Sequence, residues 1–131
     1  MIFTDEQMKT LYQTVDAEAH CLVNEWDSST NRMPSAARMK EKEALLAIRE
    51  KCLALQPALD AERKFINIDS IRGGELSLSD KERITLRKLL MREEKSLKRE
   101  SANAPATYEK GSYYDLVAKT HAGISSLLKI L

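Results

Sequence analysis

Aromatic side chains are scarce in this chain, with one Trp, four Tyr and two Phe among 131 residues, and four Gly and three Pro leave little material for turns. Sheets draw on β-branched and aromatic residues divided by frequent turns, so this composition disfavours a sandwich or barrel. Cys21 and Cys52 stand alone, with no CxxC pair and no histidine at ligand spacing. That pattern excludes a disulfide framework or a zinc module and suits a reducing compartment, so the expected location is cytoplasmic. The opening "MIFTDEQ" has no basic stretch leading into an apolar one, so no signal peptide is expected. No run approaches the ~20 apolar residues that span a bilayer, and no membrane partner is expected. The Gly73-Gly74 pair has no phosphate-binding GxxxxGK[ST] motif around it.

What the chain has instead is charge (31% Asp, Glu, Lys and Arg) and an abundance of Leu, Ala, Lys, Glu and Arg, which are helix formers. The length fits one domain, residues 1–131, that can bury a core without staples. The net charge of +1 names no partner, but its distribution is uneven. Residues 1–31 hold Asp5, Glu6, Asp16, Glu18, Glu25 and Asp27 against Lys9 alone, whereas 79–100 hold eight basic residues against five acidic ones. Such asymmetry fits two elements that pair, or one that awaits an outside partner.

Helix starts can be read from local chemistry. In "FTDEQM", Thr4 and Gln7 can cap reciprocally while Phe3 packs on Met8, and "LSDKER" repeats the pattern with Ser79 and Glu82. A stripe of Met8, Leu11, Tyr12, Val15, Ala19, Leu22, Val23 and Trp26 predicts the first helix. Pro34 suits the first turn of a second, running to about Gln56 through Leu45, Ile48, Cys52 and Leu55. Leu86, Leu89, Leu90 and Leu97 mark the third. Tyr113, Leu116, Val117, Ile124, Leu127, Leu128 and Leu131 mark a fourth, beginning near Ser112. The expected fold is therefore all-α, a four-helix bundle-like domain with a short helical or irregular crossover at about 57–78. There, helix two could extend beyond Pro57, "FINID" could form a short strand and Gly73-Gly74 a turn. Tyr108, Tyr113 and Tyr114 read as a hinge packed on the bundle.

"AEAHCLVNEW", residues 17–26, looks reactive but does not converge. Asp16 and His20 form an i, i+4 pair, while Glu18, Cys21 and Glu25 form a separate row; a structural zinc needs four ligands and a catalytic zinc three plus water. Adjacent helical residues point ~100° apart, so His20 cannot readily activate Cys21. His121 lies far along the chain, and its i, i+4 neighbour Ser125 has no acid in view. The expectation is a protein that is not an enzyme and carries no metal or cofactor. Cys21 with Ala17 beside it, on the side away from the stripe, suggests a second covering element.

Two helices carry apolar residues in excess of one core face. Met39, Leu46 and Leu53 are seven apart and off the main stripe of helix two, with burial inside the bundle expected. In helix three, Lys81, Arg83, Arg87, Lys88, Arg92, Lys95, Lys98 and Arg99 share about half the circumference, with Ile84 and Met91 in their midst. A solvated face, neutralised by Glu94 and the acidic first helix, is the plainest account. The functional account makes Ile84 and Met91 apolar anchors and Arg87, Lys88, Lys95 and Lys98 an electrostatic rim. The expected partner is a protein with an acidic patch, or a second copy of the chain, and the expected role is that of an adaptor, regulator or inhibitor. The alternative is an accessory protein that binds nucleic acid through the basic helix 79–100. Glu93, Glu94 and Glu100 and the absence of stacking aromatics weigh against it.

Overall fold

The structure is a computed structural model that describes residues 1–26 and 36–131, the side chains of 21–26 excepted. Its described residues form four α-helices: α1 (Asp5–Trp26), α2 (Ala36–Ala54), α3 (Asp80–Ala102) and α4 (Tyr113–Ile130). A 3₁₀ turn, Ile68–Ser70, and two two-residue strands, β1 (Ile2–Phe3) and β2 (Gly74–Glu75), complete it. The all-α, bundle-like expectation holds. Each helix packs on the next, and α4 closes back on α1. Gln7, early in α1, donates to Ser126, late in α4. Lys51, late in α2, donates to Glu82 at the start of α3, and Arg83 reaches the Leu131 carbonyl at the end of α4. Neighbours therefore run antiparallel around the ring.

The helix starts form as their local chemistry requires. The Thr4 hydroxyl accepts from the Gln7 amide at 3.1 Å while the Gln7 side chain accepts from the Thr4 amide at 2.9 Å. Ser79 and Glu82 make the same reciprocal pair, and Ser112 caps α4. Each arrangement satisfies amide groups that the helix itself leaves without acceptors.

The stripe of α1 is buried from Met8 to Ala19; Leu22, Val23 and Trp26 carry undescribed side chains, and Pro34 lies outside the described residues. Leu45, Ile48 and Leu53 from α2, Leu86, Leu89 and Leu90 from α3, and Ile124 and Leu127 from α4 fill the same core. Several expected core residues lie outside it. Leu55 is exposed because α2 stops at Ala54. Tyr113 and Leu116, in the first turn of α4, are also exposed. In the off-stripe row of α2 only Leu53 is buried; Met39 and Leu46 remain at the surface. Met39 and Leu46 face out where no further described helix covers α2.

The 57–78 segment is the irregular crossover expected, although its finer readings change. Helix two does not extend beyond Pro57, "FINID" contributes only a single bridge, Leu59 to Phe65, and Gly74 is strand rather than turn. β2 pairs antiparallel with β1, Ile2 opposite Glu75 and Phe3 opposite Gly74, and the Met1 and Leu76 backbones exchange hydrogen bonds of 2.9 and 3.1 Å. Gly73 is needed there: a Cβ would stand 2.2 Å from the Phe3 carbonyl oxygen. The Gln56 side chain donates to the Arg72 carbonyl and accepts from the Arg72 amide, both at 2.7 Å. Asp5 accepts from the Gly73 amide, and Lys9 pairs with Asp69. Phe65 stands edge-on to Tyr12 with ring centroids 4.6 Å apart, and Ile71 and Leu76 are buried. The segment is an irregular lid, sewn over the end of the bundle where α1 and α3 begin.

Candidate functional site

Reactive groups are the first place to look for chemistry. His20 is exposed, and its Nδ1 lies 2.8 Å from the Asp16 carbonyl oxygen; Asp16 itself is held by Arg49 at 2.7 Å. His121 Nε2 is buried without a hydrogen-bond partner among the described residues. The fold does bring an acid to Ser125, which sequence spacing did not reveal: its hydroxyl donates to Glu94 of α3 at 3.1 Å. That hydrogen bond ties α4 to α3. Cys52 is fully buried and free, and burial pushes its thiol up to about 12, which keeps it protonated at neutral pH. Among the described residues no three His, Cys, Asp or Glu side chains are grouped to hold a metal ion, and no helix is long and apolar enough to cross a membrane. Cys21 has an undescribed side chain; its neighbour Ala17 is exposed, so nothing described covers that side of α1.

The acidic residues of α1 are largely committed elsewhere. Asp5 serves the lid through Arg72 and Gly73, Asp16 binds Arg49, and Glu18 lies 3.9 Å from Arg38 and 3.4 Å from Arg92. Among the described residues only Arg92 links α1 to the basic half of α3, and it also binds Glu41 at 2.9 Å. Two further basic residues of α3 have partners: Arg83 on the Leu131 carbonyl, and Lys98 at 3.6 Å from Glu94. Lys81, Arg87, Lys88 and Lys95 are exposed and make no ion pair among the described residues, and neither does Lys40 of α2. Apart from Glu18 on Arg92, the described side chains of the first helix therefore do not neutralise this face.

Ile84 and Met91 stand on the same face, each 56% exposed. Sequence spacing placed them there, seven residues apart, and the buried leucines on the opposite side of α3 explain why. Leu86, Leu89 and Leu90 turn one half of the helix to the core, which leaves Ile84 and Met91 on the crest of the other. Shallow depressions flank the crest on both sides. Towards α2 a groove of about 590 Å³ runs between Ala37 and Lys40 on one wall and Lys81, Thr85, Lys88 and Met91 on the other. Towards α4 the depressions are about 440 and 330 Å³ and include the carboxylates of Asp80 and Glu94.

The tyrosines form a separate feature. Tyr108 and Tyr113 both stack on Tyr114, with centroids 6.3 and 5.4 Å apart, and Tyr113 donates to Glu100 at 3.1 Å. Tyr108 and Tyr113 are exposed, so the cluster packs mainly on itself and not on the bundle as a hinge. Comparison with family models, curated proteins and solved structures gave no match.

Proposed function

We propose that this protein acts by binding another protein, as an adaptor, regulator or inhibitor, through the outer face of α3. The observation that supports the reading is the coincidence of two exposed apolar side chains, Ile84 and Met91, with the charges of Arg87, Lys88 and Lys95, which make no ion pair among the described residues. Water gains nothing from a branched or thioether side chain, whereas a partner's apolar surface covering both contributes hydrophobic free energy. The surrounding cations steer and orient an acidic partner. Lys98 belongs to the rim and is the member already engaged locally, by Glu94. An isologous dimer through this face would set Lys88 and Arg87 near their own copies, so like charges disfavour self-pairing. With Cys52 kept as a thiol in the core, the reading places the protein in the cytoplasm.

The test is capture of acidic proteins from a cell lysate on the immobilised chain, compared with the Ile84→Asp, Met91→Asp double variant, alongside the solution mass of each. Loss of capture with unchanged circular dichroism is expected. Equal capture and equal mass in a folded double variant would remove these residues from the account. A parallel salt titration with duplex and single-stranded DNA and RNA addresses phosphate binding, which should be strongest at low salt.

A further inference from the structure

Resting on that reading, we infer that the partner seats an acidic, amphipathic α-helix in the groove between α2 and α3. The two sides of the α3 crest differ in a way that selects one. The α4 side has Arg87 and Lys95 without ion pairs among the described residues, but it also carries the carboxylates of Asp80 and Glu94, and its Arg83 is already occupied by the Leu131 carbonyl. On the α2 side Lys40, Lys81 and Lys88 have no anionic partner among the described residues. The one carboxylate in that groove, Glu41, is satisfied by Arg92 at 2.9 Å and Arg38 at 3.1 Å. Among the described residues, an incoming carboxylate therefore meets three ammonium groups and no free negative charge.

The lining also selects the conformation of the occupant. Both walls are helices and neither presents a sheet edge, so the groove offers no β-ladder to an extended peptide. A helix brings its own hydrogen bonds and needs only side-chain complementarity. The distance along α3 from Lys81 to Arg92 is about 16 Å at ~1.5 Å per residue, room for three helical turns. Met91, Ala37 and the methyl group of Thr85 supply the apolar strip along it. A ridge of leucines at i, i+3/i+4 and i+7 matches that strip, and glutamates on its flanks reach Lys40 on one wall and Lys81 and Lys88 on the other. Nucleic acid fits less well: the strip is apolar, and no aromatic side chain among the described residues lines the groove for base stacking.

A labelled synthetic helix of about 14 residues, roughly 20 Å long, with a leucine ridge and flanking glutamates, is the probe for fluorescence anisotropy. Controls are a scrambled peptide of equal composition, polyglutamate and single-stranded RNA. The expected result is saturable binding of the helix alone, weakened by added salt. Lys88→Glu and, from the other wall, Lys40→Glu should each lower affinity about ten-fold or more, the size of a central interface contact. Lys129→Glu, an equal charge change on exposed α4, should stay within about two-fold. Circular dichroism of each variant separates lost binding from lost fold. Amide shifts on binding should concentrate at Ala37, Lys40, Lys81 and Thr85. Shifts concentrated at Asp80, Arg83 and Leu131 would overturn the groove while leaving α3 docking intact. Equal binding of polyglutamate or RNA, or no binding of the helix, would overturn the helical partner; the fate of the broader reading rests on the capture experiment.

Discussion

The end of the bundle beneath the lid and the end remote from it are built on different terms. Near the lid, Met8, Leu11, Leu45, Ile48, Leu86, Leu89 and Leu127 are fully buried, and the 57–78 segment closes the base with Ile71, Leu76 and Phe65. Beyond Leu90 the described part of α3 contributes only Leu97, partly buried, and α4 before Val117 contributes no buried side chain. What holds the remote end among the described residues is polar: Arg92 on Glu18 and Glu41, Arg38 on Glu41, and Tyr113 on Glu100. The lesson is that, among the described residues, hydrophobic burial concentrates at one end while charge pairing links the helices at the other. Exposed ion pairs add only ~0–1 kcal/mol each, so stability should reside beneath the lid.

The largest expected effect follows from truncating the buried end. Leu86→Ala or Leu45→Ala should lower unfolding free energy by about 2–5 kcal/mol in urea titrations, and Leu97→Ala by clearly less. Equal losses would break the contrast. Next comes the lid. Gly73→Ala forces a methyl group into the Phe3 carbonyl and should cost roughly 1–3 kcal/mol, as overpacking does. A variant as stable as the parent would show that the lid is not sewn to β1.

Glu82 sharpens the comparison through pH. Burial alone would push its carboxyl up, but hydrogen bonds from Lys51 and from Ser79 outweigh this and hold it below its ordinary value. The unfolded chain then binds the proton more readily than the folded one. The contribution of Glu82 is therefore complete above the usual carboxylate range near 4.5 and is lost as pH falls through the lower folded value. In Glu82→Gln, the fall in stability on acidification below that range should be shallower than in the parent. Arg92→Ala, which loosens the remote end at a half-exposed site, should cost no more than about 1 kcal/mol.

What could be read in the chain tracks how local its cause is. The capping pairs Thr4–Gln7 and Ser79–Glu82 lie three residues apart, so their chemistry is visible without the fold. The stripe of α1 and the crest of α3 follow from helical period alone. The lid could not be read this way: Gln56 meets Arg72, Lys9 meets Asp69 and Phe65 meets Tyr12 only through the tertiary fold. Periodicity also misplaced Leu55, Leu116 and Tyr113, because a stripe shows which side faces inward but not how far the neighbouring helices cover it. For the proposed docking face, residue types and spacing were legible at Ile84, Met91, Arg87, Lys88, Lys95 and Lys98. The contribution of Ala37, Lys40 and Thr85 to one groove was not, since it depends on how α2 and α3 pack.

The central claim is that α3 serves the core with one side and a partner with the other, so that Ile84 and Met91 are dispensable for folding. Urea unfolding of the Ile84→Asp, Met91→Asp double variant tests it most directly. The account predicts an unfolding free energy within about 0.5 kcal/mol of the parent per substitution, as for surface positions. A loss comparable to that of Leu86→Ala would contradict it, because both side chains would then belong to the fold.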